Sequence, residues 1–471
     1  MPRLLVLLGL LGLLLSASPA GAVSPTTINA AQLAAAVAQA APGDTIVVSG
    51  GTYHGNLVLD KPLTLLGQDW PVIDGDGQGT VVQITRPGTT LRGFVIRGSG
   101  HSLDQENSGI AVEAENSLIE NNRFEETLFG IYLRQAHNST LRGNIIHSLD
   151  LPVPRRGDPI RVWYSNDVLV ENNTALRGRD VVLWYSQRLT VRGNDVQSGR
   201  YGLHFMYCDD AHIENNHLLN NSVGAFLMYS RRMVLQHNTI AGNRGPSGYG
   251  IGLKDMDDAI VKENRFLDNR VGAYLDGSPR EVDSIGQFEG NIFAYNDIGV
   301  ELLPAVRHNQ FFANSFIDNG EQVAIAGGGR PGENAWTVDG QGNYWSDYAG
   351  YDANGDARGD MAYRSERLFE SLTAQSPNLR LFLYSPAVNA IEFAAIAFPL
   401  VRPQPKLVDE QPLMQPVIPA QTPALPQAAA TGWVVLSAVL LALALTITGL
   451  PRLGQTRYRF AANLTSPPSE P

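Results

Sequence analysis

The chain has 471 residues, a net charge of −11, only 17% charged residues and 47 glycines. This composition favours a turn-rich β architecture over a helical one, because helices need long polar faces and contain few glycines. The acidic balance argues against a nucleic-acid-binding scaffold, which presents a basic face to phosphates. A single cysteine, Cys208, excludes an intrachain disulfide and a multi-cysteine zinc site.

The first residues have the pattern of a secretory signal peptide. Arg3 precedes a leucine-rich run over residues 4–15, and small residues follow up to Ala22. That apolar run is too short to span a bilayer comfortably, so we predict cleavage after about Ala22. The alanine-rich stretch 31–41 that follows is predicted to be a helix that caps the open end of a solenoid.

Asparagine recurs every 21 to 29 residues through the middle of the chain. The repeated positions are Asn122, Asn144, Asn173, Asn194, Asn216, Asn238, Asn264, Asn291 and Asn314. Each interval holds short alternating strands and a polar turn, which is typical of one solenoid coil. We therefore predict an all-β fold, a right-handed single-stranded parallel β-helix whose stacked coils align these asparagines in an internal ladder.

A second corner of each coil is marked by glycine, where we expect positive φ. These glycines stand at positions 130, 202, 224, 250, 272 and 299. Equal positions in successive coils lie one rung apart, so the residues after each glycine form columns. The column four residues on reads Arg134, Trp163, Trp184, Met206, Met228, Lys254 and Asp276, and the column two residues on reads Tyr132, Arg161, Val182, His204, Phe226, Gly252 and Tyr274.

By alternation both columns face outward, which predicts an exposed apolar patch. Patches of this kind mark a partner or ligand surface, and we predict Trp163, Trp184 and Phe226 as its partner-binding residues. Within the patch, His204, Met206 and Met228 are a candidate Cu(I) site, because imidazole and thioether are soft ligands that favour the cuprous ion.

Packing of the two methionines against the neighbouring tryptophans is the alternative interpretation of this patch. Met233, His212 and His237 lie in the following strands and are further possible ligands. Cys208 falls at an inward position of its coil, so we interpret it as a small core residue and not as a ligand.

A loop near the end of the repeats places oxygen-bearing side chains at alternate positions around a glycine, as calcium loops do. The candidate calcium ligands are Asp352, Asn354, Asp356 and Asp360. No glutamate follows at the distance that an EF-hand requires. A structural turn is therefore an equal alternative to a calcium site.

Many parallel β-helices are polysaccharide lyases, hydrolases or epimerases, so the acidic residues of this chain are candidates for catalysis. Glycosidic chemistry needs two carboxylates that face each other across a groove. Asp209 and Asp210 are adjacent in a turn and do not supply this arrangement, and the segment from Gly157 to Pro159 lacks the histidine of the alginate-epimerase motif Asp-Pro-His-Asp. A carbohydrate-active enzyme stays open as an alternative function, as does an adhesive surface module.

The C-terminal part of the chain has the pattern of a membrane anchor. A proline-rich spacer from Pro403 to Pro426 precedes the uncharged stretch from Trp433 to Leu450, which has the minimum length for a transmembrane helix. Arginines follow it, and by the positive-inside rule they stay cytoplasmic, so the solenoid lies outside.

The predicted organisation therefore has seven segments. They are a signal peptide (1–22), an N-terminal cap with the first coils (23–79), the regular coils (80–325), a loop-rich C-terminal cap (326–402), a proline-rich linker (403–431), a transmembrane helix (432–450) and a cytoplasmic tail (451–471).

Several motifs resemble a known family. They are VVLWYS (181–186), RYGLHFMY (200–207), GYGIGLKDMDD (248–258), GNYWSDYAGYD (342–352) and QPLM (411–414). From about residue 42 to residue 414 the chain resembles the NosD family of periplasmic β-helix proteins, which are required to mature nitrous oxide reductase. It is also similar to the wider group of carbohydrate-binding and sugar-hydrolase-like β-helices.

The resemblance implies a protein that is not itself an enzyme. Family members dock on an ABC-type transporter, made of a membrane permease and a cytoplasmic ATPase. They help to deliver copper from a lipoprotein copper chaperone to the copper–sulfide centre of nitrous oxide reductase. This chain departs from the family pattern because members end soon after a segment like QPLM, whereas here a linker and a predicted membrane helix follow.

Overall fold

The computed structural model of the chain describes residues 26–328, 333–382, 385–397 and 404–420, together with residue 441. Within these ranges the chain winds into coils of three short strands, and each strand pairs in parallel with the equivalent strand of the next coil. The predicted parallel β-helix is confirmed.

The coils generate three long parallel sheets among the described residues. The first sheet contains Thr26–Ile28, Thr45–Ser49, Thr64–Gln68, Thr90–Arg92, Leu118–Glu120, Thr140–Arg142, Leu169–Glu171, Thr190–Arg192, His212–Glu214, Val234–Gln236, Ile260–Lys262, Gly286–Glu289 and Asn309–Phe312. The second contains Thr52–His54, Val72–Asp74, Val95–Arg97, Arg123–Thr127, Ile145–Ser148, Thr174–Leu176, Asp195–Gln197, His217–Leu219, Thr239–Ala241, Arg265–Leu267, Ile292–Ala294, Ser315–Ile317 and Tyr344–Trp345. The third contains Leu57–Leu59, Val82–Ile84, Ser108–Val112, Phe129–Arg134, Ile160–Trp163, Asp180–Trp184, Tyr201–Met206, Val223–Met228, Tyr249–Lys254, Val271–Asp276, Ile298–Leu302 and Glu321–Ile325.

The core runs along the axis of the solenoid. Alternate residues of each strand point inward, and on the third sheet Leu183, Phe205 and Leu227 are register neighbours with almost no solvent exposure. A strand this short cannot satisfy its own backbone groups, so the ladder to the coils on either side supplies the missing hydrogen bonds.

The predicted asparagine ladder is confirmed and closes the corner between the first and second sheets. Asn216 is typical: its Nδ2 donates to Val191 O at 2.9 Å and to Asn238 Oδ1 at 2.9 Å, and its Oδ1 accepts from the backbone N–H of Asn194 at 2.9 Å. A second buried ladder, which the sequence analysis missed, lies between the second and third sheets. Its members are Asn221, Asn243, Asn269, Asn296 and Asn319.

The glycine column exists, but the reason predicted for it was wrong. The φ values of Gly202 and Gly224 are not in the left-handed region. A Cβ on Gly202 would lie 2.4 Å from Gly224 O, and a Cβ on Gly224 would lie 2.5 Å from Gly250 O. Glycine is therefore required by the close approach of consecutive coils. Positive φ occurs at other corners, several of which carry larger side chains.

Both ends of the solenoid are covered. At the N-terminal end, a 3₁₀ turn (Ala30–Gln32) with a capping box leads into α1 (Leu33–Gln39), which buries Leu33 and Val37 as the predicted capping helix. At the other end lie α2 (Leu368–Gln375), a 3₁₀ helix (Pro377–Phe382) and α3 (Pro386–Ala397). The remaining short elements among the described residues are the 3₁₀ turns Val153–Arg155 and Ala326–Gly328 and the two antiparallel strands Tyr363–Arg364 and Val408–Asp409.

Residues 404–420 correct the predicted start of the extended spacer, because they pack along the coils. Asp409 is fully buried and accepts hydrogen bonds from the backbone N–H of Asn343 at 2.7 Å and from Trp345 Nε1 at 2.9 Å. Further on, Val417 N donates to Ser315 Oγ at 2.8 Å. We call residues 404–420 the strap.

No helix within the described part of the chain is long and apolar enough to cross a membrane. The predicted signal peptide (1–22), the predicted tail (451–471) and, apart from Leu441, the predicted membrane helix (432–450) lie outside the described residues.

Candidate functional site

The outer face of the third sheet carries the two predicted columns in the predicted register. Trp163 pairs with Trp184, Trp184 with Met206, and Met206 with Met228. In the other column His204 pairs with Phe226. The strand alternation that buries Leu183, Phe205 and Leu227 thus places all these side chains on one outer surface, which we call the Met/Trp face.

Met206 and Met228 lie side by side on this face. Both are partly exposed, and because they are register partners their backbones are one rung, ~4.8 Å, apart. Neighbouring thioethers on a rigid parallel ladder can approach one soft metal ion from the same side.

His204 stands two residues before Met206 and is only 7% exposed. Its ring makes edge contacts with Trp184, at 5.2 Å between centroids, and with Tyr201, at 4.8 Å. Neither Nδ1 nor Nε2 has a hydrogen-bond partner, since the carboxylate of Asp180 lies 3.7 Å from Nδ1. A buried imidazole nitrogen without a partner is costly, so Nε2 of His204 is an unused donor of the kind that a metal ion takes.

The face is less open than the sequence predicted. Phe226 packs between Tyr201, at 5.8 Å between ring centroids, and Tyr249, at 6.4 Å. Trp163 and Trp184 are likewise half-buried. Packing therefore accounts for much of the aromatic surface, in line with the alternative interpretation, but it does not account for the unpaired Nε2 of His204.

Two buried carboxylates lie at the start of the strands beneath His204. Burial raises the pKa of Asp180, but hydrogen bonds from Arg200, the nearby ring of His204 and the charge of Arg200 outweigh this and hold the pKa below its usual value. For Asp158, one coil earlier, burial dominates over the charge of Arg179 and raises the pKa to about 6. Neighbouring carboxyl groups thus differ in proton affinity.

Several buried donors on the earlier coils are also unsatisfied. Arg134 and Arg161 both bind Glu106, at 2.9 and 2.8 Å. The Nε atoms of both arginines, the hydroxyl of Tyr132 and the indole N–H of Trp184 nevertheless lack hydrogen-bond partners. These donors are enclosed by the packed side chains at this end of the Met/Trp face.

A row of tyrosines beside the Met/Trp face was missed by the sequence analysis. Tyr164, Tyr185, Tyr207 and Tyr229 stack on successive coils with centroids 4.9 to 5.1 Å apart, and each has φ near +50°. The left-handed backbone belongs to this corner of the coil and not to the tyrosines, because the equivalent residues Gln135 and Asp255 also have φ near +50°. The sequence does contain the pattern that predicts this row: in four successive repeats a tyrosine directly follows the Trp or Met of the outer column. We call this row the tyrosine ladder.

The three further metal ligands that the sequence suggested do not lie on this face. Met233 is buried in the core, His212 lies on the first sheet, and His237 Nε2 lies 2.8 Å from Glu263 Oε2 at the corner after that sheet. Cys208 is fully buried, as expected for a core residue, and burial raises the pKa of its thiol to about 12.

In the predicted calcium loop the oxygens form a structural turn. Asp352 Oδ1 accepts from Gly355 N at 2.6 Å, and Asp360 Oδ2 accepts from Ala353 N at 2.7 Å. Asn354 Oδ1 and Asp356 Oδ1 likewise accept backbone hydrogen bonds. Because the loop's own N–H groups use these acceptors, nothing in the structure supports calcium here, and the turn accounts for the motif.

Asp209 and Asp210, the adjacent acids that a carbohydrate-active enzyme would use, also have structural partners. Asp209 accepts from Arg231 Nε at 3.2 Å, and Asp210 accepts from Arg232 Nε at 2.6 Å. These exposed pairs link successive coils. Asp209 and Asp210 therefore have structural partners and do not face each other across a groove.

Comparison with known proteins also points to a copper-binding β-helix family. A family model described as periplasmic copper-binding protein (NosD) matches residues 145–350, and a right-handed β-helix model matches residues 81–181, which confirms the predicted handedness. A curated protein of Pseudomonas aeruginosa, named probable ABC transporter binding protein NosD, is 30% identical over 390 residues, covering 80% of this chain and 89% of its own.

A protein of the same name from Stutzerimonas stutzeri is 27% identical over 381 residues, covering 78% of this chain and 85% of its own. Among solved structures, the A-module of a mannuronan C-5 epimerase, AlgE6, from Azotobacter vinelandii is 18% identical. It aligns with a TM-score of 0.44 and covers 68% of this chain and 97% of its own.

Proposed function

The chain belongs to the NosD family, and on that premise we propose that it is a periplasmic accessory protein for the maturation of nitrous oxide reductase. It handles Cu(I) on the way from a lipoprotein copper chaperone to the copper–sulfide centre of the reductase. It acts beside an ABC-type transporter, a permease with a cytoplasmic ATPase, as the names of its relatives suggest. In this role copper is a transient cargo, and the chain is not an enzyme.

The observation that carries the proposal is the environment of His204. Its Nε2 is buried without a hydrogen-bond partner, and its Nδ1 meets only the carboxylate of Asp180, at 3.7 Å, on a face that also presents Met206 and Met228 in register. One imidazole and two thioethers form a soft donor set that holds Cu(I) and discriminates against hard cations. Few donors on a partly exposed face also suit a cargo that must be released.

The Met/Trp face and the tyrosine ladder are the proposed contact surface for the copper donor or acceptor. Trp163, Trp184 and Phe226 surround the candidate ligands, and aromatic residues are the residues that most often dominate protein interfaces. A partner that covers this face would also exclude water from the ion during transfer.

The proposed location is the periplasm, after export by the signal peptide at residues 1–22. A helix at 432–450 anchors the chain in the inner membrane, where it raises the local concentration of the solenoid beside its transporter.

The proposal is tested by titration of the full chain with Cu(I) against a chromogenic chelator. His204→Ala, Met206→Ala and Met228→Ala are each expected to weaken binding about tenfold or more. His212→Ala, which removes an exposed imidazole on the first sheet, is the matched control. Binding by the triple variant that equals binding by the native chain would remove the copper site.

A carbohydrate-active β-helix enzyme is the second candidate, favoured by one observation. Asp158 has a pKa raised to about 6 while the pKa of Asp180 is lowered, and paired carboxyl groups with divergent pKa values are typical of acid–base sites. Both groups are deeply buried and bound by arginines, which limits access for a polymer. Turnover of a uronic polysaccharide by the purified chain, lost in Asp180→Asn, would favour this candidate.

A further inference from the structure

Asp180 lies beside the imidazole ring of His204. It is 2% exposed and begins the strand Asp180–Trp184, one coil before the strand Tyr201–Met206 that carries His204. Its Oδ2 lies 3.7 Å from His204 Nδ1, whereas Nε2 is buried without a hydrogen-bond partner. A neutral imidazole carries its one proton on either nitrogen, and only the other nitrogen can bind a metal ion. The position of that proton therefore decides which atom of His204 is available.

Arg200 holds the carboxylate of Asp180 in a fixed orientation. Its Nε donates to Asp180 Oδ1 at 2.9 Å, and its Nη2 donates to Asp180 Oδ2. The backbone N–H of Tyr201 also donates to Oδ1, at 3.2 Å. Oδ1 thus accepts two hydrogen bonds and Oδ2 accepts one, so Oδ2 keeps acceptor capacity for a further donor.

A small movement of the imidazole ring would complete a hydrogen bond from His204 Nδ1–H to this oxygen. The present separation of 3.7 Å exceeds the usual length of such a bond by about 1 Å. Trp184 and Tyr201 contact the ring edge-on, with angles of 88° and 78° between ring planes, and keep it beside the carboxylate. Hydrogen bonds at binding sites are often long before the ligand binds and shorten in the complex.

The alternative is that Asp180 serves only as the partner of an arginine. A similar pair occurs one coil earlier, where Arg179 donates to Asp158 at 3.1 and 3.2 Å. The register position of His204 is occupied there by Val182. The carboxylate–arginine pair is thus a repeated feature of these coils, and what distinguishes Asp180 from Asp158 is the imidazole beside it.

We propose that Asp180 is a positioning residue for the candidate copper ligand His204. Its carboxylate, oriented by Arg200, accepts a hydrogen bond from Nδ1–H and so leaves the lone pair of Nε2 free for Cu(I). A carboxylate that binds the other nitrogen of a metal-binding histidine fixes the orientation of the ring and makes it a stronger ligand. The inference rests on the proposed copper-binding function, and it adds the group that selects the ligand atom.

The first test measures the tautomer of His204 in the absence of copper. The full chain is labelled with nitrogen-15 at its nine histidines, and the imidazole nitrogens are observed by long-range nitrogen–proton correlation NMR above the usual titration range of histidine. The signals of His204 are identified by their loss in His204→Ala. We expect a proton on Nδ1 in the native chain, and a shift of this proton toward Nε2 in Asp180→Asn.

The second test is titration of the same full-length variants with Cu(I). Asp180→Asn is expected to weaken binding about tenfold, as is typical of groups that support a metal ligand. In the His204→Ala background the same substitution should change affinity by about twofold or less, because its effect passes through the imidazole. Glu171→Gln is the matched control: it removes the charge of a carboxylate on the first sheet that is 5% exposed and bound by Arg142 and Arg192. It should leave both the tautomer and the affinity unchanged.

A proton on Nε2 of His204 in the native chain would overturn the inference, and this measurement does not depend on whether Asp180→Asn folds. An unchanged tautomer and affinity in Asp180→Asn would overturn it as well. So would an equal loss of affinity with and without His204, because the carboxylate would then act on the fold as a whole. In all three cases the copper proposal would stand. Copper binding by the native chain that does not depend on His204 would instead contradict the copper site itself, and the positioning role would fall with it.

Discussion

Met206 and Met228 are register partners on adjacent strands of the third sheet, and both side chains reach the outer surface of the solenoid. The parallel ladder fixes their separation, so a metal bound between them needs no rearrangement of the backbone. This pair is the most direct place to test whether the face binds copper through sulfur.

Replacement of Met206 and Met228 together by leucine should keep the packing and remove both thioethers. We expect Cu(I) affinity to fall about a hundredfold, with a change in unfolding free energy of about 1 kcal/mol or less. X-ray absorption at the copper edge should show loss of sulfur scattering. The control is Met233→Leu with Met256→Leu, which alters two methionines buried in the core. Unchanged sulfur scattering in the outer variant would rule out these ligands.

The columns were predictable from sequence because, in a parallel β-helix, the spacing of the repeat determines which residues become neighbours. Once the spacing of the asparagines defines a coil, strand alternation alone determines which residues are neighbours, and the observed pairs Trp184 with Met206 and His204 with Phe226 follow from it. The inward position of Cys208 followed in the same way.

The direction in which a side chain points, and the residues that pack over it, were not predictable in this way. Nothing in the repeat indicates that Tyr201 leans onto His204 and Phe226, or that Asp352 turns back onto its own backbone. The packing of the strap was also not predictable from sequence, because its contacts join residues that are far apart in the chain, such as Asp409 and Asn343. A proline-rich composition indicates an extended chain but not where that chain packs.

The asparagine ladder should dominate the stability of the solenoid. Asn216→Ala removes a buried amide that bonds to Val191 O, to Asn238 and to Asn194, so several buried groups lose their partners. We expect a loss of about 3 to 5 kcal/mol, since each orphaned group costs about 1 to 3 kcal/mol. Urea unfolding followed by circular dichroism measures it. Gln105→Ala, at an exposed amide, should change stability little. Equal effects of the two substitutions would contradict the ladder's role.

The thiol of Cys208 should not react with thiol reagents in the native chain. Burial raises the pKa of its thiol to about 12, so almost no thiolate is present near neutral pH and reagents have no access. We expect no reaction with a chromogenic disulfide reagent until guanidinium chloride is added, when one thiol per chain reacts. Cys208→Ser should leave Cu(I) affinity unchanged. A large drop in affinity would instead identify the thiol as a ligand.

Asp158 should make stability depend on pH in the direction opposite to most carboxylates. Its pKa is raised to about 6 by burial, so the folded state binds the proton more tightly than the unfolded state does. The folded chain therefore loses stability as pH rises from about 4 to about 6, by about 3 kcal/mol for a displacement of this size. Carboxylates with lowered pKa, such as Asp167, act in the opposite sense.

The contribution of Asp158 is isolated by a difference measurement. The unfolding free energy of the native chain minus that of Asp158→Asn should fall between pH 4 and pH 7, because only the native chain must ionise this buried group. Urea unfolding at each pH supplies both values, and Asp167→Asn provides the exposed comparison, for which the difference should rise or stay flat. Parallel pH profiles for the native chain and Asp158→Asn would show that Asp158 ionises normally. The asymmetry between Asp158 and Asp180 would then no longer support acid–base chemistry, and the copper-handling role would lose its main competitor.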